Sequence, residues 1–279
     1  MSDATAALAA IASWPLVRTA SDRARAACTE LRWHQALRRR IPEAAAESRI
    51  RGAWASAELD GARSSLDIVR ARMMGAQPAP ANPDPAEHIV AGAMAATAAT
   101  ETLTKLVRTA PRQAIARLHT AAAAALVEPD HLGRPRPQGS DSPEFAILGP
   151  APDAGAAAAR LAALDTVLAD PASPALVAAA IAHAEIAHAR PFVRGNGLVA
   201  RAVERIVIQA SGLDPTGVAV PEAGHLHRGM AAYHGALAAY GLGTQQGLTV
   251  WIEHCADALV AAAQEGREIA DAVLAGRLS

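Results

Sequence analysis

The sequence predicts an all-α protein, and three observations carry that expectation. Hydrophobic residues make up 51% of the 279 positions but aromatics only 3%, so the apolar content is chiefly alanine, the strongest helix former. Apolar residues recur at three- and four-residue spacing along most of the chain. Clusters of proline and glycine interrupt that pattern at intervals suited to helices of ordinary length. The bias towards alanine and arginine also fits a GC-rich bacterial coding sequence, and by itself it says nothing about function.

In chain order, the first helix is expected over residues 21–40, with Ser21 as its N-cap and Ile41-Pro42 as its stop. A second runs from Glu43 through Trp54 and Leu59 towards Met74. Residues 77–85 carry Pro78, Pro80, Pro83 and Pro85, which no helix interior tolerates, so they read as a linker. The chain accordingly divides into an N-terminal helical region, 1–83, and a main body, 84–279. Helices follow over 86–109 and 111–127, with Pro111 placed as a first-turn residue. Residues 130–152 are rich in glycine and proline around one short apolar run, Phe145 to Leu148, which reads as a strand or hairpin arm. Helices resume over 153–169, 174–189, 195–211, 221–240 and 244–274.

Charge and cysteine content narrow the function classes. Lys plus Arg number 26 against 27 Asp plus Glu, a net charge of -1, without the basic excess expected for a nucleic-acid or anionic-membrane partner. Cys28 and Cys255 fit neither a metal-ligand pattern nor a disulfide framework. Asp3 and the lack of a basic segment make residues 1–14 a poor signal peptide, and no apolar run reaches the roughly 18 residues of a membrane helix. The expectation is a soluble, cytoplasmic protein, with a homodimer left open.

One stretch departs from the alanine-rich background. A helix runs into Arg190-Pro191 and must end there, because the residue before proline is pushed out of the helical region. Gly195-Asn196-Gly197 then opens the next helix. Backbone N–H groups at such a start point outward, and the helix dipole favours an anion there. Arg201, one turn inside, is spaced to reach the same anion.

This stretch resembles the signature of the Fic (Fic/DOC, Fido-fold) family, His-Pro-Phe-x-Asp/Glu-Gly-Asn-Gly-Arg-x-x-Arg, and retains Pro191, Phe192, Gly195, Asn196, Gly197 and Arg201. Upstream, Ser56-Ala-Glu-Leu-Asp60-Gly61 resembles the family's inhibitory helix, Ser/Thr-x-x-x-Glu-Gly/Asn, with Asp in place of Glu. Gly133-Arg134 and the segment to Leu148 sit where the family places a target-binding flap. The resemblance spans most of residues 40–275. It implies a Fic-like helical core with one short β-hairpin flap, an inhibitory-like helix in the N-terminal region, and AMP transfer from ATP to a protein hydroxyl with Mg2+.

The departures bear on that chemistry. The family's base is the motif His, and Arg190 stands there; a guanidinium cannot take up a proton. Loss of a general base costs about 10²- to 10⁴-fold in rate. Arg194 replaces the metal-binding Asp/Glu and would repel Mg2+ by roughly 4 kcal/mol per pair of unit charges at about 4 Å and an effective dielectric of about 20. Leu198 replaces the first motif arginine. The expectation is therefore a degenerate member with AMP transfer lost or altered. It would hold a nucleotide or other phosphate-bearing ligand on Arg194, Gly195, Asn196, Gly197 and Arg201, without metal. The alternatives are a working adenylyltransferase with an unusual base and a non-catalytic scaffold that meets a protein target or regulator. His183 and His188 are five apart and lack the spacing of a zinc motif; they, and the set His225, His227 and His234, read as structural or solvated. No metal site is expected. Trp14, Trp33, Trp54 and Trp251 read as packing anchors, and Arg38-Arg39-Arg40 as a polar helix end.

Overall fold

The computed structural model describes residues 3–277, and among them every regular element is helical. The N-terminal region comprises α1 (Asp3–Ala12), α2 (Pro15–Arg32), α3 (Ile41–Leu59) and α4 (Leu66–Met73). The remainder comprises α5 (Pro85–Leu103), α6 (Leu106–Thr109), α7 (Pro111–Ala122), α8 (Ala154–Ala169), α9 (Ala175–Ala189), α10 (Asn196–Ala210), α11 (Pro221–Arg228), α12 (Met230–Gly241) and α13 (Gln245–Leu274). Proline opens α2, α5, α7 and α11 within the first turn, where its missing N–H costs nothing. Ser65, Asp84, Asp153 and Thr244 cap α4, α5, α8 and α13 through their side chains.

The helices wrap the α9–α10 pair, whose residues are almost all buried. α13 lies along α2, α11 and α12, while α3 packs between α5 and α11. Small side chains let these axes approach closely. A Cβ on Gly224 would stand 1.9 Å from the Ala258 carbonyl oxygen, and one on Gly92 would stand 2.2 Å from that of Ala122. Backbone thus touches backbone at the α11–α13 and α5–α7 crossings.

Several boundaries differ from the sequence expectation. Ser21 lies inside α2, which begins six residues earlier at Pro15. The helix expected from 43 to 74 stops at Leu59; the Ala62 N–H returns to the Ala57 carbonyl, closing α3, and α4 starts afresh. The helix over 221–240 breaks at Gly229, with φ 88°. The expected hairpin flap is absent among the described residues. Phe145 adopts a left-handed φ of 53° and Ala146–Leu148 form a short 3-10 turn, so the apolar run never extends. Trp251 is fully buried, as a packing anchor should be, but Trp33 is 71% exposed. Arg38 closes a 3-10 turn (Gln35–Arg38), and Arg40 precedes α3 and bonds the Val273 carbonyl at the end of α13. No helix among the described residues is long and apolar enough to cross a membrane.

Candidate functional site

The α9–α10 junction is built by two left-handed residues. Arg190 terminates α9 with φ 41° and Gly195 precedes α10 with φ 85°, so the chain turns sharply and leaves the first amides of α10 free of backbone partners. Asn196 locks the turn: its Oδ1 accepts the Phe192 N–H at 3.0 Å and its Nδ2 donates to the Phe192 carbonyl at 2.9 Å.

The anion position on those amides is filled by the chain itself. The N–H of Gly195 donates to Glu144 Oε1 at 2.5 Å, the N–H of Asn196 to Oε2 at 2.8 Å, and Asn196 Nδ2 to Oε2 at 2.7 Å. Burial, with the nearby charge of Asp60, holds the Glu144 carboxyl above the usual carboxylate range even though these donors favour its ionised form.

Arg201 forms the other half of the site. Its Nε donates to Ser56 Oγ at 2.8 Å, and its Nη2 to the Ser56 carbonyl at 3.0 Å and to Asp60 Oδ1 at 2.8 Å. Burial works against its charge, but Asp60 and Tyr233 more than restore it, so the guanidinium stays firmly protonated. The shorter Asp side chain reaches because Asp60 stands at the C-cap of α3, directly over α10. A Cβ on Gly197 would lie 2.6 Å from Asp60 Oδ1, so glycine is what admits the carboxylate.

Arg190 points away from the anion. Its Nη1 donates to the carbonyls of Glu144 at 3.1 Å and Gly149 at 2.9 Å. Arg136 completes the clamp: its Nε donates to the Arg190 carbonyl and its backbone N–H to the Pro191 carbonyl, both at 2.8 Å. Two guanidiniums thus satisfy the carbonyls that a strand partner would otherwise take, which is why residues 130–152 need no hairpin. His119 braces the loop from below, with its ring stacked on Phe192 at 3.8 Å. Its Nδ1 accepts the Gly133 N–H, which leaves Nε2–H to donate to the Arg194 carbonyl at 3.0 Å. Burial lowers its pKa to about 4, so this neutral tautomer prevails at physiological pH.

These elements enclose a cleft of about 490 Å3, whose wall includes Asp60, Gly61, Glu144, Phe145, Arg194, Gly197 and His234.

A profile of the Fic/DOC family matches residues 109–207. Solved structures extend the likeness of fold to most of the chain. Fic-1 (aa134–508) from C. elegans is 22% identical with TM-score 0.65, over 91% of this chain and 74% of that one. A Fic family protein from Desulfovibrio desulfuricans G20 is 22% identical with TM-score 0.63, over 96% and 75%. A Fic domain containing signaling protein from Bacteroides thetaiotaomicron VPI-5482 is 13% identical with TM-score 0.61, over 90% and 98%. No curated protein matches the chain.

The structure brings Gly195, Asn196, Gly197 and Arg201 together with Ser56, Asp60 and Gly61 of the N-terminal region. Two expected members do not join the anion. Arg190 is committed to loop carbonyls, and Arg194 is exposed on the cleft rim, where solvent screens its charge. Leu198 is buried, close to Gly92 of α5. The donor set does not fit Mg2+. An arginine stands at the expected acidic position, and the two carboxylates of the cleft are bound to Arg201 and to backbone amides.

Neither His183 nor His188 enters the cleft to stand in for the missing base. His188 bonds the Leu237 carbonyl at 2.8 Å, and His183 is wholly buried on Glu204 and Tyr233. His225, His227 and His234 do not cluster either: His225 is buried beside His183, His227 is exposed near Glu265, and His234 lines the cleft. Sequence reasoning missed Glu144, Arg136, His119 and Tyr233. Only Glu144 left a signal, as the one acidic side chain between Pro143 and the Pro150 turn.

Proposed function

We propose that the chain binds a phosphate-bearing ligand, such as a nucleotide, at the N-terminus of α10 without a metal ion, and that AMP transfer by the family's route has been lost. The observation that supports this reading is the Glu144 carboxylate on the Gly195 and Asn196 amides: an anion already fits there, desolvated and held by three hydrogen bonds. A ligand phosphate takes the same donors by displacing Glu144. Arg201, held in place by Asp60, adds a second positive charge one turn into α10. Transfer chemistry loses its support because Arg190 cannot accept a proton and is spent on holding the loop. Soluble, cytoplasmic action as a regulator of a protein partner is part of the same reading.

A second reading, a working transferase with a different base, has one observation in its favour. His234 is the imidazole that lines the cleft, and partial burial followed by the charge of Arg201 lowers its pKa, leaving it neutral and able to accept a proton. Intact-mass analysis after incubation with ATP and Mg2+ or Mn2+, on the chain alone and with cell extract, separates the two. The proposal expects no adduct of AMP mass. An adduct that forms with the wild type and disappears in His234→Ala would establish the second reading.

A further inference from the structure

The core behind the cleft holds a group of polar side chains that the anion site does not use. Glu204 of α10 is buried at the point where α9, α11, α12 and α13 converge. Its Oε2 faces His183 Nδ1 of α9 at 2.6 Å and His225 Nε2 of α11 at 2.8 Å, and the three donor atoms lie within 4.8 Å of one another.

The other buried carboxylates of the described residues are differently provided for. Glu47 pairs with Arg51 and Arg70, Glu222 with Arg205, and Asp214 accepts the Ala219 and Thr216 amides. Glu204 has no guanidinium and no backbone amide, only two imidazoles. A carboxylate kept out of water needs a cation or equivalent donors, and two histidines beside it are the donor set of a borderline divalent metal.

The geometry points to a structural site for Zn2+ formed by His183, Glu204 and His225. Oε2 of Glu204 with the two ring nitrogens supplies three donors, and a water molecule completes the four-coordinate shell. Metal–ligand bonds of about 2.0–2.1 Å place tetrahedral donors roughly 3.3 Å apart, so loading opens the cluster by about half an ångström. The outer face of each ring already has the partner that a ligating histidine requires. His183 Nε2 lies 2.7 Å from Tyr233 Oη, and His225 Nδ1 lies 3.1 Å from His254 Nε2. On loading, each ring keeps one proton but carries it on that outer nitrogen, and the metal takes the lone pair of the inner one. The Trp251 ring lies parallel to both His225 and His254 and closes the site on the side of α13. His254 also lines a surface cleft with Glu253, Asp257, Arg23 and Arg228, in which both arginines pair with Asp257.

The test uses the tag-free full chain. Its zinc content is measured by mass spectrometry as purified, and after stripping it is titrated with Zn2+ and with Co2+, whose visible absorption reports four-coordinate geometry. The expected result is one tightly held metal per chain and the tetrahedral cobalt spectrum. Glu204→Gln should abolish stoichiometric binding, and His254→Ala should weaken it about 10- to 100-fold. Circular dichroism confirms that each variant retains its helices. A wild-type chain that takes up no metal from excess Zn2+ would overturn the proposal, as would uptake of equal affinity in Glu204→Gln.

Discussion

The two carboxylates of the cleft answer the same field by different means. Asp60 stands at the C-cap of a 19-residue helix and meets a guanidinium; Glu144 hangs from an irregular loop and meets backbone amides. The first contact is between two rigid elements and ties the N-terminal region to α10. The second depends on a segment held by Arg136 and Arg190, with little backbone bonding of its own. On the proposed reading an arriving anion meets one partner that is part of the frame and one that can leave, and anion binding comes apart from group transfer. The residues proposed to bind, Gly195, Asn196, Gly197 and Arg201, stand together, whereas Arg190 and Leu198 are taken up by loop carbonyls and packing.

The largest effect should come from the rigid contact. Arg201→Ala removes a buried cation shared by Ser56 and Asp60 and should cost about 3 kcal/mol or more of stability, read as a fall in Tm. It should also abolish phosphate binding. Loss of binding without loss of stability would break the claim that Asp60 and Arg201 belong to the frame.

The loop contact should respond in the opposite sense. Hydrogen bonds to a charged group contribute about 1.5–3 kcal/mol, so Glu144→Ala should free the amides and raise affinity for phosphate about 10- to 100-fold.

Acid should loosen the brace beneath the loop. His119 has its pKa lowered to about 4 from an ordinary value near 6.5, so between these values the unfolded chain binds a proton that the folded chain refuses. Stability from this group is fully present above about pH 6.5 and declines as pH falls towards 4. Tm measured from pH 7 to 4 should show the fall, and His119→Gln should make it shallower.

The smallest effect belongs to the rim. Arg194→Ala should change stability by less than about 0.5 kcal/mol and weaken anion binding only a few-fold, because the side chain is exposed. A complete loss of binding would return Arg194 to the role of a substitute cation.

The helices were legible where proline and capping side chains mark their starts, as at Pro111 and Pro221. They were illegible where a serine such as Ser21 offers a cap that the chain passes by. Phe145 to Leu148 reads as a strand because local apolar pattern cannot register that two distant arginines hold the carbonyls flanking it, at Glu144, Gly149 and Pro152. The anion motif was legible because its residues are contiguous, and Ser56 and Asp60 because they sit one helical turn apart. Glu144, some fifty positions before Gly195, obeys no spacing rule; only the loop's return over α10 brings it there. The same holds for His183, Glu204 and His225, which three helices bring together.

Isothermal calorimetry of ATP into the wild type and Glu144→Ala, each with and without Mg2+, tests the central claim most directly. Metal-independent binding that tightens in Glu144→Ala is the predicted result. Binding that requires Mg2+ and is indifferent to Glu144→Ala would contradict it.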